Sequence, residues 1–381
     1  MVELCLDDVT RRFDDVQGTE TAVDDISMTV EDELLVLLGP SGCGKTTTLR
    51  MIAGLETVSE GRITIDGRDV TGTPPSDRSI AMVFQDYGLY TMMSVRENMA
   101  YGLKHSTDLS EAERNARVEE MAEMFDIGEL LDRDVTELSG GQKQRVSLGR
   151  AMVREPDVFL LDEPLASLDA KLRAEMRTEL QQIQEKLDIT TVYVTHDQKE
   201  AMTMADRVAV LDDGTLRQLG PPEAVYENPA DRFVADFLGN PAMNQLPATT
   251  SREDGRYDFH VAVGDRRLRF ASIPRGDLPL DDGDPVTVGV RPENLRLNDP
   301  ATADFEATVS VSEYQGNDNF VHLEIGSREL TAVVPPTVRP SPGDTVPVTV
   351  SPDALHLFDA DTGGELRRAQ DGKRRSETVR Y

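Results

Sequence analysis

The 381-residue chain has no tryptophan, two cysteines and five histidines, and its 7 lysines stand against 33 arginines. Each scarcity excludes something. Cys5 and Cys43 cannot build a disulfide framework, so a reducing compartment fits the chain. No apolar run approaches the roughly 20 residues that a membrane helix needs, and the mean hydropathy is −0.40. The first eight residues, Met1 to Asp8, carry acids where a secretion signal needs a basic segment, so no signal peptide is expected. Binding to a nucleic-acid backbone needs a basic stripe. The formal net charge here is −30, so nucleic acid is not an expected partner. Acid-rich, lysine-poor composition resembles that of proteins from cells with multimolar cytosolic salt, where screening makes self-repulsion tolerable and the acids maintain solubility.

What is present begins with eight residues, Gly39-Pro40-Ser41-Gly42-Cys43-Gly44-Lys45-Thr46. They follow an apolar run, Leu34 to Leu38, and lead into a segment from Thr47 to Ala53 that reads as a helix. Strand, glycine loop and helix N-terminus together make a phosphate cradle, because successive N–H groups face a concavity and the helix dipole adds positive character. In such a loop Lys45 reaches the β- and γ-phosphates, and Thr46 offers its hydroxyl to Mg²⁺. Thr47 follows within the same first turn. A bulky adduct on Cys43 is expected to block nucleotide entry.

The length predicts two domains. In the first part strands alternate with helices, which implies an α/β domain with a mainly parallel sheet. Ile63-Thr64-Ile65 before Asp66-Gly67 reads as a hairpin, and Ile80 to Phe84, Val158 to Leu161 and Thr191 to Thr195 read as buried strands. From Ser94 to about Arg133 the pattern is helical, with a capped start near Leu109 to Glu113. Phe233 to Leu238 reads as a final helix or linker. Short alternating strands then follow, at Pro285 to Val290, Phe320 to Ile325 and Pro347 to Val350, as in a small β-barrel or sandwich. Residues 362–381 lack an apolar period and are expected to form a flexible tail.

Leu138-Ser139-Gly140-Gly141-Gln142-Lys143-Gln144-Arg145 carries the chain beyond a generic nucleotide fold. With it the sequence resembles the ATPase subunits of ABC transporters. Val158 to Pro164 resembles the family's Walker B strand, Ser167-Leu168-Asp169 its D-loop, Gln85 its Q-loop glutamine and His196 its switch histidine. The resemblance implies an α/β P-loop NTPase cassette over 1–235, with a helical subdomain over about 88–157. An all-β OB-like regulatory domain is implied over 236–361.

Each position has a chemical reason. Phosphoryl transfer asks for positioning and for charge stabilisation around the γ-phosphate. Asp162, ending an apolar strand, can hold Mg²⁺ opposite Thr46, and Glu163 can orient and polarise the attacking water. His196 would clamp the γ-phosphate, and Gln85 would sense metal and water. Phe13 matches the position where an aromatic ring stacks on adenine, with core packing as its rival. The resemblance further implies that Ser139, Gly140, Gly141 and Gln142, with Asp169, approach ATP held by the opposite chain of a dimer. That dimer could be a homodimer or could include a similar ATPase.

The chain lacks the fused membrane helices of exporters, the second cassette of translation-factor relatives and the heptad arms of repair relatives. Arg50 to Glu56, Val95 to Lys104 and Leu168 to Arg173 match the sugar-importer branch that includes the maltose-transporter ATPase, as does Gly289 to Glu293 in the β-rich half. The resemblance implies a peripheral subunit on the cytoplasmic side of the cell membrane, serving two integral-membrane permease subunits and an extracellular substrate-binding protein. A permease is expected to dock near Gln85 to Met93, where Asp86 to Ser94 departs from the branch's usual Ala-Leu-Tyr-Pro-His pattern. Cargo is open at this point: a sugar such as xylose, arabinose, glucose or an oligosaccharide, or alternatively glycerol-phosphate, a polyamine or an inorganic anion. A regulatory ATP-binding module is the reading from another class.

Overall fold

The computed structural model describes residues 2–15, 18–187, 189–274, 278, 280–297 and 303–367. Contacts divide the chain into two compact units, Met1–Pro222 and Glu223–Tyr381.

In chain order the first unit runs β1 (Glu3–Asp15), β2 (Gly18–Glu31), β3 (Leu34–Leu38), α1 (Lys45–Ala53), β4 (Glu60–Ile65), β5 (Arg68–Asp69) and β6 (Ile80–Val83). It continues with α2 (Val95–Ser106), α3 (Glu111–Met124), α4 (Gly140–Met152), β7 (Val158–Asp162), α5 (Ala170–Leu187), β8 (Thr190–Val194), α6 (Gln198–Met204), β9 (Arg207–Asp212) and β10 (Thr215–Gly220). One sheet is antiparallel, ordered β2-β1-β4-β5. The other is ordered β10-β9-β3-β8-β7-β6 and is parallel except for the β10 edge. β3, β7 and β8 are buried at every residue, as central parallel strands covered on both faces must be. Leu4, Ile26 and Ile63 of the antiparallel sheet share one apolar core with Leu37 and Leu160 of the parallel sheet and with Leu49 and Ile52 of α1. Helices α2 to α4 lie between β6 and β7 in the chain and pack on one another.

The second unit takes in α8 (Arg232–Phe237), and α7 (Pro222–Glu227) begins at the divide, a dozen residues before the boundary read from sequence. Arg291 supplies the physical reason. Its buried guanidinium donates to the carbonyls of Tyr226 (2.7 Å), Ala235 (3.1 Å) and Leu238, and stacks over the Tyr226 ring. The strands are β11 (Asn244–Glu253), β12 (Arg256–Val263), β13 (Arg266–Pro274), β14 (Pro285–Val290), β15 (Leu295–Leu297) and β16 (Phe305–Tyr314). After them come β17 (Asn319–Ile325), β18 (Arg328–Val334), β19 (Thr345–Val350), β20 (Leu355–Asp359) and β21 (Glu365–Arg367). They form two antiparallel sheets, β13-β12-β11-β14-β20-β21 and β15-β19-β16-β17-β18, whose inner faces share one core. β21 falls where the tail was expected. It pairs with β20, and Glu365 is tied to His356 by a buried contact of 3.3 Å. The rest of that segment, 368–381, lies outside the described residues.

Candidate functional site

Four loops leave the carboxyl ends of adjacent parallel strands, the usual ligand edge of an open α/β sheet. Leu37 of β3 pairs with Val194 of β8, Val194 with Asp162 of β7, and Leu161 of β7 with Val83 of β6. That register brings the 39–46 loop, Asp162 and Glu163, His196, and Gln85 to one end of the sheet.

The 39–46 loop is shaped for an anion. Gly44 caps α1 with φ of 99°, a left-handed backbone, and a Cβ there would lie 2.5 Å from the Ala22 carbonyl oxygen. A Cβ at Gly39 would collide with the Leu211 carbonyl oxygen. Gly44 offers no side chain to the first turn of α1. By contrast α2, α3 and α4 each begin with a capping box, Ser94 with Glu97, Ser110 with Glu113 and Ser139 with Gln142. The N–H groups at the start of α1 are therefore free for a ligand, where the helix dipole favours negative charge. Lys45 is buried, and its ammonium donates to the carbonyls of Gly39 (2.8 Å) and Pro40 (2.7 Å) of its own loop. Pro40, Thr46 and Thr47 are half-buried, and Ser41 and Gly42 are exposed. Cys43 is only 4% exposed, so a thiol reagent must first gain access before an adduct there can block nucleotide entry. Burial pushes that thiol up from its ordinary value, with Lys45 pulling the other way.

The Thr46 hydroxyl donates to Asp162 Oδ1 at 3.1 Å. Burial raises the Asp162 carboxyl, while the Thr46 hydrogen bond and the Arg50 charge oppose the rise. The next residue, Glu163, has φ of 46°, and its N–H donates to the Val194 carbonyl at 3.1 Å. A left-handed non-glycine residue of this kind stores on the order of 1–3 kcal/mol and tends to mark functional loops. Glu163 Oε2 lies 3.2 Å from His196 Nδ1, so β7 and β8 bring those two side chains into direct contact. Gln85 is exposed two residues beyond β6, and its side chain makes no hydrogen bond to a described residue.

The signature residues are engaged in local contacts of their own. The Ser139 hydroxyl accepts from the Gln142 N–H (3.4 Å), and Gln142 Oε1 accepts from the Ser139 N–H (3.0 Å). Gly140 and Gly141 lie against Leu168 and Leu172 instead, where a Cβ on Gly141 would stand 3.0 Å from Leu172. Among the described residues, no hydrogen bond joins residues 139–142 to the 39–46 loop. Asp169 accepts from the N–H groups of Lys171 (3.1 Å) and Leu172 (3.0 Å), capping the start of α5. Phe13 is half-buried on β1, and the Arg11 guanidinium lies 4.3 Å from its ring centroid.

Sequence reasoning missed three supporting residues. Arg78 is 3% exposed and donates to the carbonyls of Met51 (2.8 Å) and Ile52 (2.6 Å), closing the far end of α1. Glu200, also buried, accepts from Tyr193 (2.8 Å) and Thr195 (2.6 Å) and so fixes the strand end that presents His196. Tyr87 joins its hydroxyl to that of Ser167 at 2.8 Å. None has a spacing signal: Arg78 acts through backbone carbonyls, and a buried Glu200 reads as one more acid in an acidic chain.

These features define a P-loop nucleotide-binding cassette followed by a β-rich C-terminal unit. Residues 23–166 match the ABC transporter family, 239–295 the MalK OB fold domain and 288–358 the TOBE domain. The xylose/arabinose import ATP-binding protein XacK of Haloferax volcanii is 49% identical over 382 residues, covering 97% of each chain. The sn-glycerol-3-phosphate import ATP-binding protein UgpC of Salmonella choleraesuis is 46% identical over 95% of this chain and 99% of its own. Among solved structures, the dimeric cassette MJ0796, titled a bacterial ABC transporter cassette, superposes with a TM-score of 0.52. It is 28% identical, over 57% of this chain and 98% of that one. The chain belongs to the ABC transporter family and is one of its ATP-binding, ATP-hydrolysing subunits. Among the described residues, no helix is long and apolar enough to cross a membrane.

Proposed function

We propose that the chain drives uptake of a sugar through a separate permease, by hydrolysing ATP at the strand edge that holds Thr46, Asp162, Glu163 and His196. The Glu163–His196 contact of 3.2 Å beside the Thr46–Asp162 pair is the observation that carries the catalytic part. Similarity along the whole chain to a pentose importer subunit supports the sugar, and the comparable similarity to UgpC favours glycerol-phosphate as the second reading.

In this reading the free N–H groups of α1 and the ammonium of Lys45 take the β- and γ-phosphates. Lys45 exchanges its loop carbonyls for phosphate oxygens. Glu163 accepts a proton from the attacking water, and His196, held at Nδ1 against Glu163 in the resting chain, clamps the γ-phosphate when nucleotide binds. Phe13 supplies a stacking face for adenine. The hydroxyl of Thr46, the carboxylate of Asp162 and the amide of Gln85 are hard oxygen donors that suit Mg²⁺. Among the described residues no cluster of three acids, histidines or cysteines is built to cage a metal, which fits an ion that relies on substrate phosphates and water. Mg²⁺ held there would neutralise charge on the phosphates as the terminal bond breaks.

Ser139, Gly140, Gly141, Gln142 and Asp169 complete the site of a second chain, a reading supported by their polar groups being engaged in capping α4 and α5 with no hydrogen bond from 139–142 to the 39–46 loop among the described residues. The segment around Gln85 exposes Phe84, Tyr90 and Met92, with Met92 93% accessible, and this surface takes the permease. The working complex thus contains two permease subunits, an extracellular substrate-binding protein and a pair of cassettes on the cytoplasmic face of the membrane.

Glu163→Gln tests the reading. The substitution keeps the side-chain shape and removes the base, so turnover is expected to fall by about 10²- to 10⁴-fold. ATP-dependent dimers should accumulate at the same time, visible by light scattering. Turnover at the parent rate would refute the proposal.

A further inference from the structure

Tyr87 lies two residues beyond Gln85 and adopts φ of 57°, a left-handed backbone that is an outlier for so large a residue. Two residues of α4 hold it there. Its carbonyl accepts from the Ser147 hydroxyl at 2.8 Å and from the Arg150 guanidinium at 3.1 Å. Its hydroxyl is joined to Ser167 of the Ser167-Leu168-Asp169 loop at 2.8 Å, and the same oxygen stands 3.5 Å from where a Cβ on Gly140 would be. One residue therefore touches the loop after β6, the loop before α5 and the start of the signature helix.

A second observation lies on α4 itself. Gln144 is fully buried, and neither its amide nitrogen nor its amide oxygen has a hydrogen-bond partner among the described residues. A buried polar group left without a partner is costly, so both atoms call for an explanation. Position 144 is one turn from Gly140, which faces the Tyr87 hydroxyl, and three residues from Ser147, which holds the Tyr87 carbonyl. Helical side chains lean toward the N-terminus of their helix, so residue 144 covers the turn that contains Gly140, whose missing Cβ leaves room beside Leu168 and the Tyr87 hydroxyl.

We propose that Tyr87 is a positioning residue with two seats for its hydroxyl, Ser167 in the state seen here and the Gln144 amide in the other. Movement of the segment after Gln85 exchanges the seats and thereby resets the Ser167–Asp169 loop against the signature helix. The inference rests on the ATPase reading given above, and it concerns a residue that has no hydrogen bond to the 39–46 loop among the described residues.

The test is a double-mutant cycle on the full-length chain, with steady-state ATP turnover as the readout. Tyr87→Phe and Ser167→Ala each remove one hydroxyl and are expected to lower kcat between about twofold and tenfold, the worth of one neutral hydrogen bond, with KM for ATP unchanged. The double variant should be no slower than the slower single one. Gln144→Leu should raise the melting temperature, because it removes an unpaired buried amide, and yet lower kcat. Its effect should vanish in the Tyr87→Phe background. Additive losses from Tyr87 and Ser167, or a Gln144→Leu chain that is more stable and turns over at the parent rate, would overturn the proposal. Glu163→Gln run alongside separates the two readings: full turnover there defeats the ATPase assignment, whereas collapse there with an additive Tyr87–Ser167 cycle defeats only the seat exchange.

Discussion

At the scale of single residues, the site contains groups whose burial sets their chemistry. Cys43 sits inside the phosphate loop, yet its sulfur is almost wholly covered and its thiol is shifted upward. Only the thiolate reacts, so at neutral pH alkylation by a maleimide is expected to reach half-buried Cys5 first and to leave Cys43 unmodified in the folded chain. Labelling of Cys43 should accelerate as pH rises, and peptide mass spectrometry would read both sites. Equal rates at neutral pH would contradict the buried position. Asp162 carries the opposite lesson. Its carboxyl is raised by burial, so ionisation costs more in the folded chain than in the unfolded one. The sign follows: its favourable contribution is complete below the ordinary carboxylate value and is lost as pH climbs through the raised folded value. Without nucleotide or metal, Asp162→Asn is therefore expected to melt no lower than the parent at neutral pH. With Mg²⁺ and ATP the parent should gain melting temperature and the variant should not. A variant that melts lower without ligand would show that the charge is already compensated in the resting chain.

At the scale of elements, two helices with the same N-terminal device serve as internal controls for each other. Ser110 with Glu113 caps α3, and Ser139 with Gln142 caps α4, in the same reciprocal arrangement. Removing either serine hydroxyl should cost about 1 kcal/mol of stability. Only Ser139→Ala should also depress ATP turnover well beyond its effect on melting, because Ser139 belongs to the signature and Ser110 does not. Parallel losses of activity in both variants would reduce Ser139 to a helix cap. The same elements show what could be read in advance. β3, β7 and β8 were legible because strands buried on both faces become unbroken apolar runs, and α3 because its cap is a local pattern. β1 was not, although it spans 13 residues, because its register shifts between Leu6 and Val9, where Asp8 turns to φ of 50° and breaks the alternation. The phosphate loop and the strand-end residues Asp162, Glu163 and His196 were legible from type and order. Arg78, Tyr87 and Gln144 were not, since their roles lie in carbonyls and neighbours that only folding brings close. Asp169 shows a mixture: the family pattern finds it, but its visible work in this chain is to cap α5.

At the scale of the whole molecule, the question is whether residues 39–46 of one chain and 139–142 of another form one site. Two chains that each carry a net charge of −30 repel on approach. Ionic strength near 1 M shortens the screening length to about 3 Å, so dimer formation is expected to need salt. Under such conditions a mixing experiment decides whether the signature serves its own loop or a partner's. Lys45→Ala should disable the phosphate loop, and Ser139→Arg should place a bulky charge at the signature. Each variant alone should be inactive whichever arrangement holds. In a head-to-tail pair, one chain of each kind builds one site from the intact loop of the Ser139→Arg chain and the intact signature of the Lys45→Ala chain. The second site in that pair carries both defects. Random pairing makes about half of the dimers mixed, each with one intact site of two, so an equimolar mixture should recover about a quarter of parent turnover if the sites act independently. If instead the signature served the loop of its own chain, no mixture could assemble an intact site, and activity would stay at the level of the separate variants. Strong coupling between the two sites would push recovery below a quarter, but any turnover well above both separate variants requires that residues 39–46 and 139–142 meet across two chains.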